Sequence, residues 1–304
     1  MNAITKNTAV ATAAGSVRES HGSHSSAHGG NSLSRKDFEK LAKFIHGYSG
    51  IKMPPNKLTM VEGRLRRRLK ATGYATFAQY CHYLFEQGGL EDEQVHLIDA
   101  VTTNKTEFFR EPDHFRILEE NVLGEVMRHR AGRKPVKIWS AASSIGAEPY
   151  TLAMVAAEFA ARNRGFEYSI LATDLCTQVL ETAVLGIYPE AMMAPVPDAL
   201  YQRYVLRDKN PKRGLARIVP ELRTQVRYAR LNLMDTSYPL DTDFDVIFCR
   251  NILIYFDKPT QNAVLQRLCS HLRPGGYLFM GHSETLAGFD LPLTLAGPTV
   301  FRRN

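Results

Sequence analysis

Val136-Lys-Ile-Trp-Ser-Ala-Ala-Ser-Ser-Ile-Gly-Ala-Glu-Pro-Tyr150 reads as a buried strand, a turn of small residues and the opening of a helix. The apolar start lacks the alternation of a half-exposed strand, so both of its faces must be covered. The same unit recurs. Residues 168–173 form a second apolar run that ends at Asp174, and 177–185 carry a helical pattern. Phe244-Asp-Val-Ile-Phe-Cys249 is a third strand, followed by a helix over 259–272 and the strand Tyr277-Leu-Phe-Met280. Strands alternating with helices predict an α/β fold with a doubly wound, mostly parallel sheet. The stretch 293–301 adds two strands joined through Gly297-Pro298. Between 189 and about 228 the alternation breaks at Pro195, Pro197 and Pro211, then gives short β-prone pieces such as Leu215-Ala-Arg-Ile-Val219. This predicts a small inserted β-subdomain.

The chain ahead of the sheet is different. Residues 1–31 are rich in Ser, Ala, Gly and His and poor in large apolar side chains, a composition that predicts a disordered tail. His21, His24 and His28 lack the carboxylate or thiolate that would complete a metal site. From 32 to 103 the period becomes helical. Ser34 with Asp37 reads as an N-cap, and Phe38, Leu41, Phe44, Ile45 and Tyr48 share a face. Pro54-Pro55 breaks the chain, after which Leu58, Val61, Leu65 and Leu69 mark a second helix over 57–71. Thr76 opens a third helix, and 91–102 form a fourth. The expectation is an all-α domain at 32–103 and a sheet domain at 104–304.

Composition narrows the function. The chain has 304 residues, 44% hydrophobic and 23% charged, which suits folded domains and excludes collagen-like or coiled-coil classes. No apolar run reaches the about 18 residues of a spanning helix, and the start lacks the pattern of a secretory signal. Cys81, Cys176, Cys249 and Cys269 show no CxxC spacing, so they read as reduced thiols in the cytoplasm, with no metal site. A net charge of +7 favours an acidic partner without choosing among nucleic acid, membrane and protein. Its densest concentration is Arg64, Arg66, Arg67, Arg68 and Lys70 on the second helix. The leucines of that helix face inward, so most of these cations are expected on its exposed face, opposed only by Glu62.

In an open α/β sheet, ligands bind beyond the carboxyl ends of the strands. The turn at 140–150 falls there, but its single glycine does not make the GxGxxG of dinucleotide enzymes. It is either a plain tight turn or one in which Glu148 meets a ligand's ammonium group. Asp174 ends the second strand, where an acid receives ribose hydroxyls or else caps the next helix. Leu231-Asn-Leu-Met-Asp235 and Arg250-Asn251 are polar groups just past strands, placed for an adenine edge and a ligand carboxylate. Together these segments describe a nucleoside-plus-amino-acid ligand, which is the chemistry of S-adenosylmethionine. Before the sheet, Thr102-Thr-Asn-Lys-Thr-Glu-Phe-Phe-Arg-Glu-Pro112 reads either as a linker folded over that ligand or as an ordinary helix junction with Phe108 and Phe109 in the core.

The runs Thr103-Asn-Lys-Thr-Glu-Phe-Phe-Arg110, Trp139-Ser-Ala-Ala-Ser143, Gly146-Ala-Glu-Pro-Tyr150, Phe248-Cys-Arg-Asn-Ile-Leu-Ile-Tyr-Phe256 and Gly281-His-Ser-Glu-Thr285 strongly resemble the chemotaxis receptor methyltransferase family, CheR, in order from about 37 to 301. The resemblance implies a class I (Rossmann-like) methyltransferase sheet with an N-terminal helical domain and a small inserted β-subdomain. It implies methyl transfer from S-adenosylmethionine to glutamate carboxylates of chemoreceptors, leaving S-adenosylhomocysteine and a glutamate methyl ester. By position it implies a cofactor site of Asn104, Thr106, Arg110, Glu148, Asp174, Asn232, Leu233, Arg250 and Asn251, with Arg110 and Tyr255 facing the transferring methyl. Ala147 departs from members that carry a second acid beside the equivalent of Glu148. The implied partner is the cytoplasmic part of a transmembrane chemoreceptor, docked on the basic helix, and a receptor C-terminal peptide is the implied ligand of the insert. Neither membrane insertion nor oligomerisation is implied. A nucleic-acid methyltransferase is the rival: Asn251-Ile-Leu-Ile-Tyr255 loosely matches Asn-Pro-Pro-Tyr, but without either proline or a base-stacking stripe. A signalling module that binds the cofactor without catalysis is the other rival, and Arg110 and Tyr255 argue against it.

Overall fold

The computed structural model describes residues 31–130 and 135–304. The expected tail, with its histidines, lies outside the described residues except for Asn31. The N-terminal unit comprises α1 (Arg35–Ser49), α2 (Leu58–Thr72), α3 (Phe77–Glu86) and α4 (Leu90–Val101). Ser34 Oγ accepts the amide of Asp37 at 3.1 Å, and Gly50, at φ 73°, closes α1 in the left-handed region that glycine tolerates. Thr76 and Gln79 form a reciprocal capping box on α3. Phe38, Leu41, Leu65, Phe77, Tyr80 and Leu97 fill the interior of the bundle.

Beyond the linker, α5 (Pro112–Ile117) passes through a π-helical turn at Leu118–Val122 into α6 (Leu123–Arg130). There follow β1 (Val136–Ala141), α7 (Ala147–Arg162), β2 (Tyr168–Asp174), α8 (Thr177–Leu185) and β3 (Ile187–Pro189). Next come α9 (Asp198–Tyr204), β4 (Val205–Arg207), β5 (Leu215–Ile218), the single turn α10 (Pro220–Arg223) and β6 (Val226–Arg230). The chain closes with β7 (Phe244–Cys249), α11 (Lys258–His271), β8 (Leu272–Met280), β9 (Leu293–Gly297) and β10 (Val300–Arg303). The main sheet runs β6-β2-β1-β7-β8-β10-β9, parallel except for the last two pairings. Successive strand residues serve opposite cores: Ile138 packs with α5, α6 and α7, whereas Trp139 packs with α11. Burial on both faces explains the unbroken apolar runs.

Two expectations need correction. The insert was placed to about 228, but Tyr228 lies in β6, which pairs parallel with β2 from Val226 to Arg230. The inserted sheet is only β3-β5-β4, because the α10 turn returns the chain to the main sheet earlier. The basic run on α2 is also not uniformly free. Arg64 donates to the carbonyls of Val101 (2.6 Å) and Thr102 (2.8 Å), closing the C-terminus of α4. Arg68 pairs with Glu93, a buried carboxylate that also accepts from Tyr80 at 2.9 Å. Arg66 is exposed but pairs with Glu62. Arg67 and Lys70 are exposed and carry no ion pair among the described residues.

Asp245, fully buried on β7, locks the far end of the sheet. It accepts the Lys137 amide (2.8 Å) and Arg273 Nε (2.5 Å), and Arg130 Nε lies 2.7 Å away. Removing this acid takes the buried acceptor from Arg273 Nε and the Lys137 amide and leaves Arg130 only Asp243, so Asp245→Ala should cost about 3–5 kcal/mol. Urea unfolding followed by fluorescence of Trp139, the single tryptophan, reads this directly.

Candidate functional site

The carboxyl ends of β1, β2, β6 and β7 open into one cleft, roofed by the segment between α1 and α2. Its empty volume is about 1220 Å³ including the open mouth. Asn104, Thr106, Arg110, Glu148, Asp174, Asn232, Leu233, Arg250, Asn251 and Tyr255 all line it. So do Ile51, Lys52, Met53 and Met60 from the helical unit, none of which carries a local signal of a ligand site.

The turn after β1 is built by sharp backbone. Ala142 (φ 58°), Ser144 (φ 51°) and Gly146 (φ 92°) are all left-handed. A Cβ on Gly146 would come within 3.0 Å of Ala183, Tyr188 and Tyr228, so the glycine serves helix–sheet packing and not ligand access. Asp174 accepts the amides of Ser144 (2.8 Å) and Cys176 (2.9 Å), pinning this turn to the next one. Burial pushes its carboxyl above the ordinary range, against those amides. Ser144 Oγ donates to the Asn104 carbonyl at 3.0 Å, which ties the linker to the turn. Ser143 Oγ is buried in the cleft wall without a hydrogen-bond partner among the described residues.

Arg250 is the centre of charge. Its Nε donates to Glu148 at 2.7 Å, and its Nη1 to the Arg110 carbonyl at 2.8 Å, with Glu111 3.3 Å away. Its guanidinium lies over the rings of Phe115 and Phe248. Nη2 alone makes no hydrogen bond among the described residues. Glu148 is therefore not an open carboxylate: Ser140 Oγ (2.7 Å) and Arg250 already engage it. Asn232 likewise uses its amide on protein, donating to the Tyr48 carbonyl at 2.7 Å and accepting the Met234 amide at 3.0 Å. It holds the helical unit over the cleft. Asn104 Nδ2 faces Thr102 and Cys176. Arg110 bonds only the Lys105 carbonyl, at 3.2 Å, and pairs with no carboxylate among the described residues. The Tyr255 hydroxyl has no hydrogen-bond partner among them.

Sequence reading missed the residues behind these. Asn251 is left-handed (φ 59°) because Glu284, buried in the loop after β8, accepts its amide and those of Ile252, Leu253 and Gly281 at 2.7–3.0 Å. Burial raises the Glu284 carboxyl, opposed by those four amides. Glu111 accepts Asn251 Nδ2 at 3.1 Å, and His114 Nδ1 lies 3.0 Å from Arg250 Nη1. Gly281-His-Ser-Glu284 and the Glu111 beside Arg110 were visible, but nothing local assigned them partners. Glu111, His114 and His282 bring potential ligand atoms within 4.8 Å of one another. Both His114 nitrogens are already engaged, and a cation there would meet the Arg250 guanidinium.

Comparison with known proteins now bears on this geometry. The family described as "CheR methyltransferase, SAM binding domain" matches residues 104–300, and "CheR methyltransferase, all-alpha domain" matches 36–102. The chain belongs to the CheR methyltransferase family. It is 38% identical over 267 residues to "Chemotaxis protein methyltransferase 2" of Pseudomonas aeruginosa strain PAO1, covering 88% of this chain and 92% of that one. The match to the "Chemotaxis protein methyltransferase" of Escherichia coli K12 is 38% over 269 residues, covering 88% and 91%. That of Borreliella burgdorferi matches at 35% over 275 residues, covering 90% and 95%. The CheR cleft lies where the two matched domains meet, and the chain is an S-adenosylmethionine-dependent methyltransferase. No helix among the described residues is long and apolar enough to cross a membrane.

Burial and the adjoining Arg250 cation push the His114 imidazole from 6.5 down to about 4. The unfolded chain binds this proton near the ordinary value and the folded chain only near pH 4. The stabilisation is thus complete above the ordinary value and is lost as pH falls toward 4. Denaturation midpoints measured across that window should fall less steeply in His114→Asn than in the parent.

Proposed function

We propose that the cleft holds S-adenosylmethionine beside a chemoreceptor glutamate and transfers the methyl group to its carboxylate. The observation that carries this reading is one cleft lined by Arg110 without a carboxylate partner and the Tyr255 hydroxyl without a hydrogen bond, both among the described residues, together with the Glu148–Arg250 pair. The cleft chemistry suits the cofactor. Leu231, Leu233 and Phe256 offer an apolar wall for a base, Asp174 an acid at the end of β2 for ribose, and Arg250 Nη2 a donor without a partner among the described residues for the amino-acid part. Bound there, S-adenosylmethionine supplies a methyl on a sulfonium, which the carboxylate oxygen takes as the S–C bond breaks, leaving S-adenosylhomocysteine and a neutral ester.

Glutamate is ionised at neutral pH, with an ordinary pKa of about 4.3, so no base is needed. The work left to the chain is alignment and exclusion of water, which supply about 7–11 kcal/mol in favourable systems. Arg110 orients the incoming carboxylate, and Tyr255 fixes the group at the reaction centre from the opposite wall. The receptor helix docks against α2 through Arg67 and Lys70, with Arg66 at the edge. A receptor C-terminal peptide adds to an edge of the β3-β5-β4 sheet, where Ile187 and Leu206 are exposed. The protein acts in the cytoplasm as a monomer, on protein and not nucleic acid.

Methyl-labelled S-adenosylmethionine and receptor-bearing membranes, followed by mild alkali, test the reaction. Carboxyl methyl esters release volatile methanol. Volatile label reduced about 100-fold or more by Arg110→Ala supports the proposal. Label that stays with protein amines or nucleic acid overturns it. For docking, Arg67→Glu with Lys70→Glu should raise the receptor KM several-fold, weaken its salt dependence and leave kcat intact. Arg68→Glu should instead destabilise the fold, because it leaves Glu93 buried and unpaired.

A further inference from the structure

His114 is fully buried at the start of α5 and stands behind Arg250, outside the cleft lining. Its surroundings fix its chemistry. Arg250 Nη1, 3.0 Å from Nδ1, can only donate, so Nδ1 must present its lone pair. On the other side, Nε2 lies 2.9 Å from Thr299 Oγ1 and 3.3 Å from the Pro298 carbonyl, which can only accept. Both ends therefore select one neutral tautomer, with the proton on Nε2. A protonated ring would set an N–H against the guanidinium, in keeping with the depressed pKa. Glu111 faces the same Nη1 at 3.3 Å and His114 Nδ1 at 3.4 Å, and the His282 ring packs edge-on to His114.

We propose that His114 is a positioning residue for Arg250: its neutral imidazole, with Glu111, holds Nη1 so that Nε stays on Glu148 and Nη2 faces the carboxylate of the cofactor. This rests on the reading of Arg250 as a cofactor-binding group. Without the Nδ1 acceptor, Nη1 keeps the Arg110 carbonyl and only the longer contact to Glu111. The guanidinium is then held at Nη1 by one short bond instead of two.

The test is calorimetric binding of S-adenosylhomocysteine to the full chain, with steady-state kinetics alongside. His114→Asn places an amide oxygen near the Nδ1 position, whereas His114→Gln keeps a polar end toward Thr299 and loses the Nδ1 acceptor. Glutamine should weaken S-adenosylhomocysteine binding and raise the S-adenosylmethionine KM about 10-fold or more, the scale of one hydrogen bond to a charged group, with the receptor KM unchanged. Asparagine should restore both to within about 3-fold of the parent on that scale. Equal affinities for the parent and both variants would overturn the proposal, as would equal losses in both, which is what a merely structural role gives. Arg250→Lys separates the two levels. If it binds like the parent, the reading of Arg250 itself fails; if it weakens binding while His114→Gln does not, only the role of His114 falls.

Discussion

A buried guanidinium without enough partners costs several kcal/mol, and this constraint organises the centre of the molecule. Arg250 sits at the end of β7, and the groups that satisfy it come from three other elements: Glu148 from α7, the Arg110 carbonyl and Glu111 from the linker, His114 from α5. None of these elements can shift alone without uncovering a charge. The arrangement is a poor way to gain stability and a good way to specify geometry, because four chain segments are fixed relative to one point. It also leaves one nitrogen of the guanidinium without a hydrogen bond among the described residues.

A second set of contacts decides how the two domains meet. Asn232 donates to the Tyr48 carbonyl, Arg230 to the Tyr48 hydroxyl (2.8 Å), and the Lys52 amide to the Tyr255 carbonyl (3.2 Å). Across the interface Asp99 on α4 accepts the amide and hydroxyl of Thr177, so it caps α8 from the neighbouring domain. The helical unit is thus a wall of the cleft as well as the bearer of the basic helix.

Much of this was legible in the sequence because it is local. Ile138 and Trp139 announce a strand covered on both sides, and Asp174 stands where a strand must end. What escaped was long-range pairing. Glu93 lies far along the chain from Arg68, so five basic residues looked alike until the fold paired three of them internally or with Glu62. Glu284 looked like one more polar loop residue; its function, receiving four amides of a strained turn, exists only once β7 and β8 are side by side. Lys52 and Met53 lie just before the proline break and Met60 just after it, and nothing local marks them as the roof of a cleft. Tyr228 was assigned to the insert because a short edge strand carries no marker of which sheet it joins.

The central claim is that the cofactor is enclosed by both domains. Amide hydrogen exchange of the full chain, with and without S-adenosylhomocysteine, tests it most directly. Enclosure by both domains should give new protection at 51–60 and 102–106 as well as in the turns at 142–148 and 250–255. Protection confined to the sheet domain, with 51–60 exchanging as before, would contradict it.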